Sequence, residues 1–244
     1  MKKTTIASFL NACVNLIYPP ECLLCQGKLK NSSEILCDIC RHSICFNTPP
    51  FCKKCSRHLA RPDEKNLCPQ CHKKMPDFDQ AWGAVLYNDP MRNLLHSFKY
   101  RKKTVLRYFF AELAVSFVEH YQIPVKNFDC LLPMPIHPTK HREREFNQTE
   151  LLCKLLQEKF QIPLYTSILV RSKNTAPQAF LEEKERWTNV KDAFRIRKPL
   201  ELKNKSILIV DDLLTTGATA CEAAKTCKQA GANRVNILTL AIGQ

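Results

Sequence analysis

Apolar and polar residues follow two different patterns along the chain, and the change occurs near residues 75–78. Before this point the sequence is dense in cysteine and shows little hydrophobic periodicity. After it, short apolar runs typical of strands alternate with segments whose apolar residues recur at helical spacing. Strands are predicted at 84–87, within 129–135, at 206–210 and at 235–241, and helices at 105–121, 147–160 and 219–230. This order predicts an α/β domain with a parallel sheet and crossover helices.

The segment at 1–20 carries an amphipathic pattern of its own. Two lysines precede an apolar stretch, as in a secretory signal, but Asn11 and Asn15 interrupt it and no small-residue cleavage site follows. The helical spacing of the apolar residues instead predicts a helix, which Pro19 and Pro20 end. We interpret it as a helix docked on its own protein rather than one lying on a membrane surface. No apolar run is long enough to cross a bilayer, so we expect a soluble protein.

Cysteine use changes the picture of the first part of the chain. Of 14 cysteines, eight form four Cys-x-x-Cys pairs at nearly equal intervals. Because no secretion signal is evident, we expect a reducing, cytoplasmic environment, in which such pairs are typical of metal ligands rather than disulfides. The pairs are Cys22 and Cys25, Cys37 and Cys40, Cys52 and Cys55, and Cys68 and Cys71.

The regular spacing of these pairs indicates an internal repeat that binds two zinc ions. Two thiolates on one tight turn reach the same Zn²⁺, and two such turns complete a tetrahedron. The simplest pairing is sequential along the chain, and an interleaved pairing has the same ligands. Four-thiolate sites leave no position for water, so we predict two structural ions in a module at 21–76. Redox-active pairs are the alternative, and four regular repeats argue against it.

Charge points to an anionic partner. The formal net charge is +14, and residues 1–75 carry 12 Lys and Arg against 5 Asp and Glu. Such an excess favours a polyanion, although a solvated basic surface is the simpler alternative. Between 96 and 103, basic residues surround two aromatics without an acid, as in single-stranded nucleic-acid sites. The candidate contacts there are Lys99, Tyr100, Arg101, Lys102 and Lys103; a nucleotide phosphate is a second possible ligand, and Phe98 fits a core position.

The most informative stretch runs from 207 to 219. Four apolar residues predict a buried strand, and Asp211 and Asp212 stand at its carboxyl end, where ligands bind in open α/β sheets. Small and hydroxyl residues then open a helix, whose backbone N–H groups and dipole favour a phosphate. The adjacent carboxylates suit ribose hydroxyls, with Mg²⁺ nearby. The candidate phosphate-binding residues are Thr215, Thr216, Gly217, Ala218 and Thr219.

This stretch resembles the phosphoribosyl-pyrophosphate motif of type I phosphoribosyltransferases, and the chain from Pro19 onward resembles the ComF family. Further matching stretches are Pro133-Met-Pro-Ile-His137, Arg142-Glu-Arg-Glu-Phe-Asn-Gln148, and Thr175-Ala-Pro-Gln178 followed by Arg186 and Asn189. The resemblance implies a double zinc ribbon before a phosphoribosyltransferase-like domain at 77–244. It also implies a role in natural transformation, where incoming single-stranded DNA is handled in the cytoplasm, with a DNA helicase as a possible partner.

The resemblance assigns roles to individual residues. It implies that Asp211 and Asp212 contact the ribose and that 215–219 hold the 5′-phosphate of phosphoribosyl pyrophosphate, bound with Mg²⁺. The pyrophosphate loop then contains Pro135, Ile136 and His137, and Arg142, Arg144 and Arg186 are further candidate contacts to DNA or phosphate. The chain departs from the family at Glu145, where glycine is usual. The longest irregular connection is expected at 172–189, as a loop that closes over the ligand.

Two functions follow from these features. The first is a DNA-handling competence protein that binds single-stranded DNA and a ribose phosphate. The second is an active phosphoribosyltransferase, for which the sequence shows neither a base-binding hood nor a clear catalytic residue. A purely structural zinc-ribbon adaptor is a third interpretation of the module, and it leaves the phosphate motif without a purpose.

Overall fold

A four-stranded parallel sheet forms the centre of the C-terminal part of the chain. The computed structural model describes residues 19–175 and 182–243. The sheet has the order β1-β6-β5-β2, which confirms the predicted α/β class and its parallel strands. The central strand β5 begins with the predicted apolar run, and each of its residues from Ile207 to Val210 is at most 1% exposed. The four strands are β1 (Gln80–Leu86), β2 (Cys130–Pro133), β5 (Ser206–Leu214) and β6 (Arg234–Ile242).

Helices cover the sheet and frame its carboxyl edge. The predicted helices at 105–121, 147–160 and 219–230 are confirmed, with bounds that differ by at most one position at each end. Asn147 caps its helix by accepting a hydrogen bond from the Thr149 backbone N–H, and Gly231 follows the last one at φ +94°. Numbered after two short helices of the zinc module, they are α3 (Asp89–Tyr100), α4 (Leu106–His120), α5 (Pro138–Arg144), α6 (Gln148–Phe160), α7 (Glu183–Val190) and α8 (Ala218–Gln229).

Three of these helices were not predicted. The basic and aromatic stretch at 96–103 falls mostly in α3, which starts at the Asn88 cap and buries Phe98. The expected irregular connection at 172–189 is wrong in its second half, because α7 occupies it from a capping box made by Glu182 and Glu185. Of the Thr175–Gln178 stretch, only Thr175 belongs to the described residues. A small antiparallel pair, β3 (Leu169–Arg171) and β4 (Phe194–Ile196), precedes and follows this connection.

The zinc module consists of two copies of one local structure. In each copy a Cys-x-x-Cys turn is followed by a short helix, α1 (Asp38–His42) or α2 (Pro69–Lys73), that begins directly after a cysteine. The backbone N–H of Cys22 donates to the Gly27 carbonyl at 2.9 Å, and that of Cys52 donates to the Arg57 carbonyl at 2.8 Å. These bonds occupy the same place in each copy, so the repeat seen in the cysteine spacing is a repeat of structure.

The two copies pack against different parts of the larger domain. Cys22 shares a hydrophobic cluster with α3, α4 and α6, whereas Cys52, Cys55, Cys68 and Cys71 share another with the end of β5 and with α8. Within residues 19–175 and 182–243, no helix is long and apolar enough to span a membrane. The helix predicted at 1–20 lies outside the described residues up to Tyr18.

Candidate functional site

Each zinc site is formed by four sequential cysteines. The sulfur atoms of Cys22, Cys25, Cys37 and Cys40 lie within 4.8 Å of one another, and so do those of Cys52, Cys55, Cys68 and Cys71. The sequential pairing is therefore the one that the fold adopts, and the interleaved alternative is wrong. Four thiolates at this spacing fit tetrahedral Zn²⁺, and they leave no open position for chemistry. All four ligands of the second site are buried, whereas Cys25 of the first site is exposed.

Three histidines within the zinc module have partners outside both four-cysteine sites. His42 and His58 place Nδ1 at 2.7 and 2.9 Å from the backbone carbonyls of Asp38 and Thr48. His72 pairs through Nε2 with the Asp63 carboxylate at 2.8 Å. This agrees with the expectation that the cysteines alone supply the zinc ligands.

The phosphate motif forms the turn after β5 and the first two residues of α8, which together we call the cradle (215–219). β5 extends to Leu214, beyond its predicted end, so Asp211 and Asp212 lie within the strand rather than after it. Gly217 adopts φ +82°, a left-handed conformation that a side chain disfavours, and α8 begins at the next residue. The cradle thus presents the start of a 12-residue helix at the carboxyl edge of the sheet, a position that favours an anion.

A cavity of about 650 Å³ opens beside the cradle. Its wall brings together α3, the loop after β2, α5, the starts of α6 and α8, β3, α7 and the end of β5. Six basic side chains face three carboxylates, so the cavity is suited to an anionic ligand. The basic residues are Arg92, Lys99, Lys140, Arg144, Arg171 and Arg186, and the acidic ones are Glu143, Asp211 and Asp212.

Many of the predicted site residues meet in this cavity, and others lie outside its lining. Besides the charged residues just given, Tyr100, Pro135, Ile136, Thr215 and Thr219 line it. Thr216 and Gly217 line a second cavity, of about 580 Å³, on the side of the second zinc ribbon, and Ala218 is buried. Besides Ala218, the predicted residues outside the lining of both cavities are His137, Arg101, Lys102, Lys103 and Arg142.

Asp212 is held in an ion pair at the floor of the cavity. Its carboxylate lies 2.8 Å from Lys99 Nζ and accepts a hydrogen bond from Gln148 Nε2 at 3.0 Å. The two charged side chains are only 8% and 20% exposed, so the pair is largely desolvated. Arg144 donates to Gln148 Oε1 at 3.2 Å and to the Tyr100 hydroxyl at 3.1 Å. Arg144 and Gln148 therefore connect Tyr100, at the end of α3, to the acidic pair on β5.

Asp211 has a different electrostatic environment. Burial, and then the negative charge of Asp212, raise the pKa of Asp211 to about 7. The Asp212 backbone N–H donates to Asp211 Oδ1 at 2.8 Å, and the charges of Lys99 and Arg171 oppose the rise. The two adjacent carboxylates thus have different environments: Asp212 pairs with a lysine, and the pKa of Asp211 is raised to about 7.

The loop that follows β2 is fixed by the start of α6. The Met134 carbonyl accepts hydrogen bonds from Asn147 Nδ2 at 3.1 Å and from Thr149 Oγ1 at 2.8 Å. Pro135 and Ile136 then line the cavity. His137 caps α5, because its Nδ1 accepts a hydrogen bond from the Thr139 backbone N–H at 3.3 Å.

Glu145 stands where the backbone conformation favours glycine. Glu145 follows α5 at φ +69° and ψ −9°, in the left-handed region that favours glycine. Its carboxylate forms a close ion pair with Lys102, and both side chains are more than half exposed. Glu145 does not line the cavity, so its negative charge faces Lys102 and not the candidate anion site.

Three basic residues in the cavity, Arg92, Lys140 and Arg171, were not predicted as site residues from the sequence. Arg92 lies two helical turns before Lys99 on the same face of α3. The Asn88 cap and this spacing together could have predicted a helix with Arg92 beside Lys99. Lys140 donates from Nζ to the Thr175 carbonyl at 3.2 Å, and burial lowers the pKa of Lys140. Arg171, beside the expected 172–189 connection, donates to the Thr175 hydroxyl.

Two family models match separate parts of the chain. A double zinc ribbon domain model matches residues 13–72, and a phosphoribosyl transferase domain model matches residues 154–243. DNA utilization protein YhgH of Escherichia coli O157:H7 is 30% identical over 225 residues, covering 84% of this chain and 96% of that protein. Competence protein F of Haemophilus influenzae is 27% identical over 227 residues, covering 91% and 96%. Competence protein ComFC of Bacillus subtilis is 28% identical over 219 residues, covering 88% and 82%.

Solved structures are matched more distantly. Glutamine phosphoribosylpyrophosphate amidotransferase from Bacillus subtilis aligns with a TM-score of 0.39 at 14% identity, covering 59% of this chain and 30% of that one. Purine phosphoribosyltransferase from Pyrococcus horikoshii aligns with a TM-score of 0.35 at 18% identity, covering 55% and 74%.

Proposed function

The chain belongs to the ComF family of competence and DNA utilization proteins, and from this premise we propose that it handles single-stranded DNA in natural transformation and binds a ribose phosphate such as phosphoribosyl pyrophosphate. In this proposal residues 21–76 are the zinc module and 77–244 the ligand-binding domain. The protein works in the cytoplasm, where a reducing environment keeps eight thiolates available for zinc. A DNA helicase of the uptake machinery is its proposed partner.

The observation that carries the ribose-phosphate proposal is the cradle at the edge of a basic cavity. The 5′-phosphate binds at 215–219, where the backbone N–H groups at the start of α8 donate to it. Asp211 and Asp212 bind the ribose hydroxyls, and Mg²⁺ lies near them and neutralises the pyrophosphate. The pyrophosphate itself lies against Pro135 and Ile136, in the loop that His137 ends as the cap of α5, with Lys99, Lys140 and Arg171 close to it. The volume of about 650 Å³ is in the range of small-molecule sites.

Single-stranded DNA binds along the rim of the same cavity. Tyr100 is 56% exposed, and its ring has the Arg144 guanidinium at 4.8 Å and the His96 ring at 4.8 Å. An exposed aromatic ring beside a cation is the arrangement on which an unpaired base stacks. The backbone phosphates then follow Arg101, Lys102 and Lys103 on one side, and Arg142, Arg144 and Arg186 on the other. One phosphoribose unit of the strand can occupy the cradle in place of the free ligand.

Catalysis of phosphoribosyl transfer is the second candidate function. The observation in its favour is the pKa of about 7 for Asp211, because a carboxyl that titrates near neutrality at the ribose end can accept or release a proton. In that reaction an acceptor nitrogen bonds to the anomeric carbon of the ribose as the bond to pyrophosphate breaks, and the nitrogen loses a proton. Incubation with labelled phosphoribosyl pyrophosphate, Mg²⁺ and a panel of nitrogenous acceptors tests it. Absence of pyrophosphate release with every acceptor would count against catalysis.

A competition experiment tests the proposed function. The zinc-loaded protein is titrated into a fluorescent single-stranded oligonucleotide at several salt concentrations, and then phosphoribosyl pyrophosphate with Mg²⁺ is added. We expect binding that weakens with salt, since phosphate contacts release counterions, and partial displacement by the small ligand. Absence of oligonucleotide binding, or binding without a salt dependence, contradicts the DNA role. Binding that the small ligand leaves unchanged contradicts a shared site.

A further inference from the structure

Arg57 connects the second zinc ribbon to the cradle. Its side chain is buried, with a relative exposure of 7%. Nε donates to the Gly243 carbonyl at 2.8 Å, one Nη donates to the sulfur of the zinc ligand Cys55 at 3.2 Å, and the other Nη donates to the Thr215 carbonyl. Guanidinium is planar and permanently charged, so these three acceptors lie in one fixed fork.

The acceptors come from three separate parts of the fold. Cys55 holds zinc, Thr215 is the first residue of the cradle, and Gly243 directly follows β6. The Gly243 backbone N–H donates to the Leu214 carbonyl at 2.8 Å, so the ends of β5 and β6 are also joined to each other. Arg57 therefore fixes the backbone at the point where the sheet ends and the cradle begins.

The bond to Thr215 fixes the direction of a cradle N–H group. In a trans peptide unit the carbonyl and the N–H point in opposite directions. Because the Thr215 carbonyl points toward Arg57 and the ribbon, the N–H of the same peptide unit, which belongs to Thr216, points away from the ribbon. Backbone N–H groups of the cradle are the donors that a phosphate needs.

Among the described residues, the first zinc ribbon shows no equivalent of this contact. The internal repeat places Gly27 where the second copy has Arg57, and each supplies the carbonyl bonded by the first cysteine of its copy. A cationic contact from the first copy to the larger domain is made by Arg41, which lies 3.3 Å from Glu112 on α4 and packs over Phe109. Both partners are on the helix that covers the sheet, far along the chain from the cradle.

We propose that Arg57 is a positioning residue through which the second zinc site orders the phosphate cradle, and that the first zinc site has no such role. This inference rests on the proposed function for its ligand, a ribose phosphate at 215–219. Zinc fixes the Cys55 sulfur, the sulfur and two carbonyls fix the guanidinium, and the guanidinium fixes the peptide that presents the Thr216 N–H. Order in the metal site is thereby passed to the anion site.

Three variants separate this role from a general effect on folding. Arg57→Met removes all three hydrogen bonds, Arg57→Lys keeps the charge but not the fork, and Arg41→Met is the matched control on the first ribbon. For each zinc-loaded protein we measure zinc content, the dissociation constant for Mg²⁺-phosphoribosyl pyrophosphate by calorimetry, and amide hydrogen exchange of 213–219 without ligand. We expect two zinc ions throughout. Affinity falls about tenfold or more in Arg57→Met, falls less in Arg57→Lys, and is unchanged in Arg41→Met, where tenfold corresponds to about 1.4 kcal/mol.

Hydrogen exchange keeps the inference separate from the proposed function. We expect faster exchange at 215–219 in both Arg57 variants and no change in Arg41→Met. If the wild-type protein does not bind the ligand, the proposed function fails, and the exchange rates still decide the role of Arg57. Unchanged exchange and affinity in Arg57→Lys, or equal losses in Arg41→Met, would overturn the inference. If Arg57→Met does not fold, Arg57→Lys alone gives the answer.

Discussion

Glu145 adopts a backbone conformation that favours glycine, and its replacement by glycine sets three energies against one another. At φ +69° a residue with a side chain costs about 1–2 kcal/mol relative to its ordinary conformation. Glycine removes that cost, but it also gives the unfolded chain more conformational freedom, which reduces the gain in stability by about 0.4–1 kcal/mol. The change also removes the ion pair with Lys102, whose side chains are 51% and 67% exposed, so solvent limits its contribution to about 0.2–1 kcal/mol.

Central values of these terms leave a small net gain. We expect Glu145→Gly to stabilise the protein by about 0.3 kcal/mol, from about 1.5 of relieved strain less about 0.7 and about 0.5. Gln161→Gly is the matched control, because Gln161 follows α6 at φ +57° and its neutral side chain carries no ion pair. It should gain about 0.8 kcal/mol, from the same strain less the same loss of chain entropy, and the difference between the two variants measures the Lys102 pair.

Thermal unfolding with excess zinc gives the comparison. For a chain of this size about 1 kcal/mol shifts Tm by roughly 2–4 °C, so we expect shifts of about 1 °C and about 2–3 °C. In about 0.5 M salt the two shifts should converge, since screening removes the pair. A loss of more than about 1 kcal/mol in Glu145→Gly would refute the reasoning, because it exceeds the upper limit of the exposed pair. A tenfold gain in ligand affinity would also refute it, because the carboxylate would then act on the phosphate rather than on Lys102.

Four further predictions concern the acidic pair and the zinc sites. Affinity for Mg²⁺-phosphoribosyl pyrophosphate should fall about tenfold per pH unit below the Asp211 pKa of about 7, and Asp211→Asn should flatten this profile. Because the pKa of Asp211 is higher in the folded than in the unfolded protein, Asp211 stabilises the fold at low pH, and this stabilisation is lost as the pH rises through about 7. Urea titrations should therefore give a lower free energy of unfolding at pH 8 than at pH 6. Lys99→Met should lower the free energy of unfolding by about 3 kcal/mol, since it leaves the Asp212 carboxylate without its cation at 8% exposure. The double variant Lys99→Met/Asp212→Asn should recover most of this loss. A loss below about 1 kcal/mol in Lys99→Met would contradict a desolvated ion pair. Chelation should release two zinc ions per chain by colorimetric assay, and one ion would contradict the two four-cysteine sites.

Local signals explain what the sequence could predict. The strand and cradle at 207–219 are encoded by neighbouring residues: an apolar run, two acids, and Gly217 before a helix. The zinc ligands are likewise encoded by spacing. The sequence could not decide the zinc pairing, because sequential and interleaved arrangements use the same ligands and differ only in how the turns pack. The structure settles that choice.

Contacts between distant residues explain what the sequence could not predict. Arg57 meets Thr215 and Gly243 from 158 and 186 residues away, and no periodic pattern signals such a contact. Asp212 looked like a ligand group alone, whereas the fold also pairs it with Lys99, 113 residues earlier. The α3 helix was not predicted for another reason: its basic and aromatic residues at 96–103 are equally typical of a nucleic-acid-binding surface, and the Asn88 cap is its one strong local signal.

The central claim is that a phosphate binds at the start of α8, and one charge placed there tests it most directly. Thr219 is the second residue of that helix and lines the cavity. In Thr219→Asp the new carboxylate stabilises the start of the helix by about 0.3–1 kcal/mol, but it occupies the place where the phosphate should lie. Thr219→Asn has the same shape without the charge. Calorimetry with Mg²⁺-phosphoribosyl pyrophosphate should give Thr219→Asn a dissociation constant within about fivefold of that of the wild type. Thr219→Asp should bind the ligand about 100-fold more weakly or worse, because like charges about 4 Å apart near a surface repel by about 4 kcal/mol. Equal affinity in the two folded variants would contradict a phosphate in the cradle.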